Sequence, residues 1–135
     1  MAVFEEVGLC SWGARRADLL CLSFKEKLTL IEIKSCKADF ITDKKYPEYR
    51  SYGHKMYFLF HDSEEKWLAE HYTHLKSLNI GVLLLDSKTG WVYTKVKCGN
   101  QPMKRSVRRN LILRMAFKAA DSTKFKNRRT RVFLN

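Results

Sequence analysis

The sequence predicts a mixed α/β domain: one central sheet, parallel in part and antiparallel in part, with helices against it. Three observations predict it. Strand-like runs recur at 3–9, 17–24, 28–35 and 56–60. Between the last two, a stretch of about twenty residues without alternation is long enough to return the chain as a parallel neighbour. Two later stretches, 63–79 and 104–120, repeat apolar residues at helical spacing.

Taken in order, VFEEVGL (3–9) is a short strand and SWGARR (11–16) a turn. ADLLCLSF (17–24) is an apolar run closed by Lys25–Lys27, and LTLIEIKS (28–35) is the strand that follows. Short turns join these segments, so they form an antiparallel meander. In the crossover, Asp39 caps a short helical turn, and Pro47 suits the first turn of a second helix ended by Gly53. MYFLF (56–60) is a central strand. Ser63 then N-caps a helix whose Trp67, Leu68, His71, Leu75 and Leu78 share one face. IGVLLLD and GWVYTKV form a hairpin around SKTG, which lacks the glycine and lysine pattern of a phosphate loop. Val107, Leu111, Met115 and Ala119 set the inner face of a last helix with basic residues around it.

At 135 residues and 45% hydrophobic, the chain buries one core. We expect a single domain over 1–121 and a basic, flexible tail over 122–135. No apolar run reaches the ~20 residues of a membrane span. The N-terminal segment carries acids where a signal peptide carries bases, which predicts a cytoplasmic or nucleoid-associated protein. Cys10, Cys21, Cys36 and Cys98 have neither disulfide-framework nor zinc spacing and read as free thiols. His54, His61, His71 and His74 read as surface or partly buried residues, not as ligands.

The net charge of +12 is unevenly placed: residues 104–131 hold eleven Lys/Arg against one acid, Asp121. Such a block marks a polyanion-binding surface, and a nucleic-acid backbone is the usual polyanion.

The strand 28–35 carries the candidate chemistry. Residues two apart share a face, so Glu32 and Lys34 project together from the face that begins with Leu28 and Leu30. If the preceding hairpin is centred on residue 26, Asp18 falls opposite Lys34 and one step from Glu32. Two carboxylates and an ammonium in one corner suit metal-dependent phosphodiester hydrolysis, since Mg²⁺ takes one or two carboxylates and keeps waters. On spacing alone, an ordinary cross-strand charge pair explains the same residues equally well.

The ordered set RRAD (15–18), EIK (32–34), SCKAD (35–39), DKKYPEY (43–49) and MYFLF (56–60) resembles the PD-(D/E)XK nuclease superfamily, and within it the MmcB-like DNA-repair proteins. The GVLLLD strand and the RRNLILRMAFKAA helix are similar to that group's C-terminal half, so the likeness spans about 15–120. The resemblance implies a restriction-endonuclease-like core and a repair, recombination or replication role on DNA. It implies Asp18 and Glu32 as metal carboxylates, the Ile33 carbonyl as a further ligand, Lys34 as the catalytic lysine, and Mg²⁺, replaceable by Mn²⁺, as cofactor. Glu6 is a candidate for the extra acid such sites often have, and Glu48, Tyr49 and Asp39 line the site. Asp39 and Asp43 alternatively cap and orient the crossover. Arg15, Arg16, Lys37, Lys44, Lys45, Arg105, Arg108, Arg109, Lys124, Lys126, Arg128, Arg129 and Arg131 are the expected nucleic-acid contacts. Ala17 stands where the superfamily's name has proline, and the first helix that buttresses such sheets is short or missing. The core therefore closes alone, or through a second copy or protein partner. A catalytically silent DNA-binding or partner-docking module of the same fold is the alternative to a nuclease.

Overall fold

A computed structural model describes residues 1–10 and 15–126, with side chains as far as Asp121. Most of the turn expected over 11–16, with Trp12, lies outside the described residues. So do the side chains of Lys124 and Lys126 and the whole of Arg128, Arg129 and Arg131. Six strands form one mixed sheet in sequential order: β1 (Ala2–Gly8), β2 (Arg16–Leu22), β3 (Leu28–Ile33), β4 (Lys55–His61), β5 (Gly81–Leu85) and β6 (Val92–Val96). The first three are antiparallel, β3, β4 and β5 run parallel, and β6 returns antiparallel to β5. The expected mixed α/β architecture is the one observed. Among the described residues no helix is long and apolar enough to cross a membrane.

The β2–β3 hairpin differs from the expected register by one step. Leu19 faces Ile31 and Leu20 faces Leu30, so the hairpin is centred on Lys25 and brings Asp18 beside Glu32, not Lys34. The cause lies in the loop. Glu26 adopts φ 59°, its N–H donates to the Ser23 carbonyl (3.0 Å), and the Ser23 N–H donates to the Lys27 carbonyl (3.0 Å). The turn from Ser23 to Glu26, closed by one left-handed residue, makes a three-residue loop of Phe24, Lys25 and Glu26.

The crossover folds as α1 (Lys37–Thr42), α2 (Tyr46–Tyr49) and a 3-10 turn, Arg50–Tyr52. Gly53 follows in extended backbone, φ −148°, rather than as a left-handed cap. A Cβ there would sit 2.5 Å from the Lys55 carbonyl oxygen, so close approach requires the glycine. After β4, the expected single helix is divided into α3 (Glu65–Leu68) and α4 (Tyr72–Ser77) by a 3-10 turn. Its entry is capped by the His61 ring, whose Nδ1 accepts from the Ser63 N–H (3.2 Å), and not by the Ser63 hydroxyl. Leu68 and Leu75 are nevertheless both buried, as the helical spacing predicts. The last helix, α5 (Arg105–Lys126), lies against β1, burying Leu111 and Met115, while Ala119 is exposed.

Phe40 of α1 is the wedge between crossover and sheet. Its ring meets those of Phe58 (5.4 Å), Phe60 (5.7 Å), Tyr46 (5.8 Å) and Trp67 (5.8 Å). Phe58 is the parallel partner of Glu32, so this aromatic cluster abuts the charged end of β3.

Arg50, 6% exposed, is buried with no carboxylate partner among the described residues. Its guanidinium donates instead to the carbonyls of Asn79 (2.8 Å), Gly53 (2.8 Å), His54 (3.1 Å) and Gly99 (3.1 Å) and approaches Cys98 Sγ (3.5 Å). One planar fork thus joins the crossover, the α4–β5 link and the segment between β6 and α5. Lysine offers a single nitrogen and cannot reach these acceptors together. Arg50→Lys is expected to lower unfolding stability by about 2–4 kcal/mol, because buried carbonyls lose their donors. A denaturant midpoint within error of wild type would show that the network is dispensable.

Candidate active site

The charged end of β3 is buried because of where the strand begins. Leu28, Leu30, Glu32 and Lys34 alternate onto one covered face, leaving Glu32 5% and Lys34 9% exposed while Ile33 points outward. The neighbouring elements supply the partners these groups need.

From β2, the Asp18 backbone N–H donates to Glu32 Oε1 (3.3 Å), and Asp18 Oδ2 accepts from the Ile33 N–H (2.8 Å). The two carboxylates are therefore locked side by side across the strand pair. Burial, and then the Asp18 charge, push the Glu32 carboxyl up to about 8. Lys34 meets the opposite environment. Burial acts against its charge, but the Asp43 carboxylate, 2.7 Å from Nζ, outweighs it and the ammonium pKa is raised. Burial likewise acts against the Asp43 charge, yet the Lys34 bond and the Lys45 N–H (2.8 Å) hold this carboxyl below its ordinary value. Asp39 stands farther off, 4.0 Å from Lys34 Nζ, and also accepts from the Ser35 N–H (3.3 Å).

Tyr49 of α2 is buried over this group. Its hydroxyl pKa is raised by burial and by the Glu32 and Asp43 charges. Arg15, just ahead of β2, is ion-paired with Glu48, tying the strand to α2 across the site's edge. Asp18, Glu32, Lys34, Tyr49, Glu48, Asp39 and Arg15 thus gather at one end of the sheet. Glu6 falls between the Glu5–Leu19 and Val7–Ala17 pairs, and at φ 54° its exposed carboxylate pairs with Arg16 (2.9 Å). Lys37, Lys44 and Lys45 are exposed on the crossover, and Arg105 and Arg109 are exposed on α5. Sequence reasoning gave Asp43 only a capping role; it is the partner of Lys34. Nothing periodic announces it, because a tertiary contact sets it nine residues from the lysine.

Asp18 and Glu32 offer the hard oxygen donors that Mg²⁺ takes, and the Ile33 carbonyl is next to Glu32 in the chain. Burial and then the Asp18 charge disfavour the ionised Glu32, and the positive charge of a divalent cation would offset both. The donor set therefore fits magnesium. Among the described residues no group of three or more His, Cys, Asp or Glu side chains is placed to hold a metal, so the protein would offer the ion these two carboxylates and the carbonyl, with waters completing its shell.

The model of the family described as DNA repair protein MmcB-like matches residues 1–128. A solved structure of a protein of unknown function from Silicibacter pomeroyi is similar, with TM-score 0.71 and 23% identity over 90% of this chain and 76% of that one. That likeness concerns the fold. No curated protein matches the chain.

Without metal, the raised Glu32 makes stability depend on pH. A carboxyl whose folded pKa lies above its ordinary 4.5 favours the folded state at low pH, and that favour is lost as pH rises through about 8. At about 1.4 kcal/mol per unit, the loss amounts to a few kcal/mol. With chelator present, wild type is expected to lose melting temperature between about pH 5 and pH 8. Glu32→Gln should flatten that fall and melt higher than wild type at the alkaline end. Parallel melting curves for the two proteins would contradict this assignment of the charge.

Proposed function

The chain belongs to the MmcB-like family of DNA repair proteins, and from that premise we propose that it is a metal-dependent nuclease that hydrolyses phosphodiester bonds in DNA. The observation that carries the reading is the placement of Asp18 and Glu32 side by side with the buried Lys34 two residues along the same strand face. A protein that only grips phosphates gains nothing from paired acids where a polyanion would lie, since like charges repel it.

Each residue then has a role that its surroundings support. Asp18 and Glu32, with the Ile33 carbonyl, would hold Mg²⁺, or Mn²⁺ in its place. That ion, when bound, supplies polarisation of a phosphoryl oxygen and a more acidic water. Lys34 stays protonated because Asp43 holds its charge, so it acts as a fixed cation toward a phosphate oxygen and not as a base. Asp43 orients that ammonium. Arg15 and the exposed Lys37, Lys44 and Lys45 add positive charge around the acids for the strand to follow.

A second reading is favoured by one observation. The Lys34 ammonium is nearly covered and already committed to Asp43, which suits a silent DNA-binding or docking module as well. The two readings part in a cleavage assay on single-stranded, duplex and branched DNA with Mg²⁺ or Mn²⁺. Wild type is expected to cut at least one of these. Lys34→Ala should lower the rate by about 10²–10³-fold, as loss of a charge-stabilising donor does, while DNA affinity changes little. If wild type and Lys34→Ala are equally inert and both still bind DNA, the nuclease reading falls and the silent module stands.

A further inference from the structure

At the opposite end of β3 lies a second hollow, lined by Lys27, His54, Asn100, Gln101, Pro102, Met103 and Arg108. Its floor is His54, 5% exposed and fixed from several sides. The His54 N–H donates to the Leu28 carbonyl (2.8 Å), the Leu28 N–H donates back to His54 Nδ1 (3.0 Å), and the Gln101 N–H donates to the His54 carbonyl (2.9 Å). Because Nδ1 accepts, the neutral ring carries its proton on Nε2. That nitrogen has no hydrogen-bond partner among the described residues. The Tyr72 hydroxyl is the one sealed, unpartnered side-chain polar atom among the described residues, and His54 lines the hollow.

Around this donor stand two cations. Lys27 is exposed at the end of the hairpin loop and is paired with no acid among the described residues. Arg108 has, among the described residues, one acidic partner, Glu26, 4.0 Å from its Nη1 and outside the lining of the hollow. Burial, and then the Lys27 and Arg108 charges, lower the His54 pKa, so the ring is a neutral donor between two positive groups. The His54 ring, an ammonium, a guanidinium and the Asn100 amide line the hollow, with the Gln101 amide turned to the Arg50 carbonyl (3.4 Å), and no carboxylate lines it among the described residues. That set of donors suits a tetrahedral oxyanion.

We propose that this hollow is a phosphate subsite that takes a backbone phosphodiester of DNA. The choice of DNA as the source of the phosphate rests on the function proposed above; the subsite itself does not. Leu28 and Glu32 are separated by about 13 Å along β3, roughly four base-pair steps of duplex. α5 covers a similar span, with Arg108 at the hollow and Lys118 Nζ donating to the Glu6 carbonyl (3.0 Å) beside the acidic end. The subsite would hold the backbone at a set distance from Asp18 and Glu32, and would do so without reading sequence.

The test uses the full chain labelled with ¹⁵N-histidine, with His61, His71 and His74 as internal references. Inorganic phosphate is expected to move the His54 Nε2 resonance and leave the other three in place. Lys27→Ala, on the exposed loop, should remove that response, and Arg108→Ala should weaken it. On duplex DNA, Lys27→Ala should lower the slope of log affinity against log salt by about one, as loss of one phosphate contact does. Lys25→Ala, which removes the same charge outside the hollow, should leave both readouts unchanged. A His54 ring indifferent to phosphate, or a Lys25→Ala effect equal to that of Lys27→Ala, overturns the subsite. A ring that responds to phosphate while Lys27→Ala leaves the DNA slope unchanged overturns DNA as the occupant. A chain that passes both tests yet cuts no DNA keeps the subsite and loses only the nuclease reading.

Discussion

The fold is organised around one constraint: a strand that begins with buried leucines must bury whatever follows on the same face. Period-two alternation carries β3 from Leu28 and Leu30 straight to Glu32 and Lys34. An unpaired carboxylate or ammonium so placed is costly, so the neighbouring elements must bring partners. β2 supplies Asp18 and its N–H, the α1–α2 link supplies Asp43, and α2 lays Tyr49 over the group. The crossover is shaped by the same need. Asp43 is aimed at Lys34 by the Lys45 N–H behind it, while Phe40 anchors α1 on Phe58, the residue beside Glu32.

The two charged residues are satisfied unequally, and the difference is chemical. Lys34 and Asp43 form an opposite pair, and each moves the other toward its charged form. Glu32 and Asp18 form a like pair, and the buried member is pushed toward its neutral form. Lys34 does lower the Glu32 pKa, but less than burial and Asp18 raise it. The positive charge available in this corner is thus spent on Asp43 rather than on the acids. What the corner lacks is positive charge at the acids, which is what makes a divalent cation the natural complement of the pair.

Most of the sheet was legible because alternation and short turns are local signals. The E-x-K face needed only the period of the strand and the two leucines before it. What could not be read depended on backbone states or distant contacts. The hairpin register turned on Glu26 entering the left-handed region, which its side chain gives no reason to expect. The cap at the end of β4 came from the His61 ring, where a serine two residues later looked the better candidate. Asp43 was visible as an acid in the crossover, but its aim at Lys34 is set by a link whose course has no period. His54 looked like a surface or half-buried histidine; only the reciprocal bonds with Leu28 reveal why it is buried and which nitrogen is left over.

Those bonds at the far end of β3 also explain why a polar hollow persists there instead of collapsing. Arg50 holds the carbonyls of Gly53, His54, Asn79 and Gly99, and the Gln101 amide donates to the Arg50 carbonyl (3.4 Å). The segment running from Cys98 to Gln101 is thereby pinned against the start of β4 before the chain enters α5. The wall of the hollow and the entry of the basic helix are then parts of one hydrogen-bonded unit. Arg50 has its donors occupied by carbonyls and adds only long-range charge; Lys27 and Arg108 bring theirs to the opening. A structural arginine inside and two less committed cations outside all bear on the His54 ring and hold its pKa down after burial has done so. At the other end of β3 the buried Lys34 is held by Asp43 and Arg15 by Glu48, which leaves the exposed Lys37, Lys44 and Lys45 as the less committed cations there. A polyanion lying along this body would therefore meet positive charge at both ends of β3, beside the acids at one and with none of their repulsion at the other.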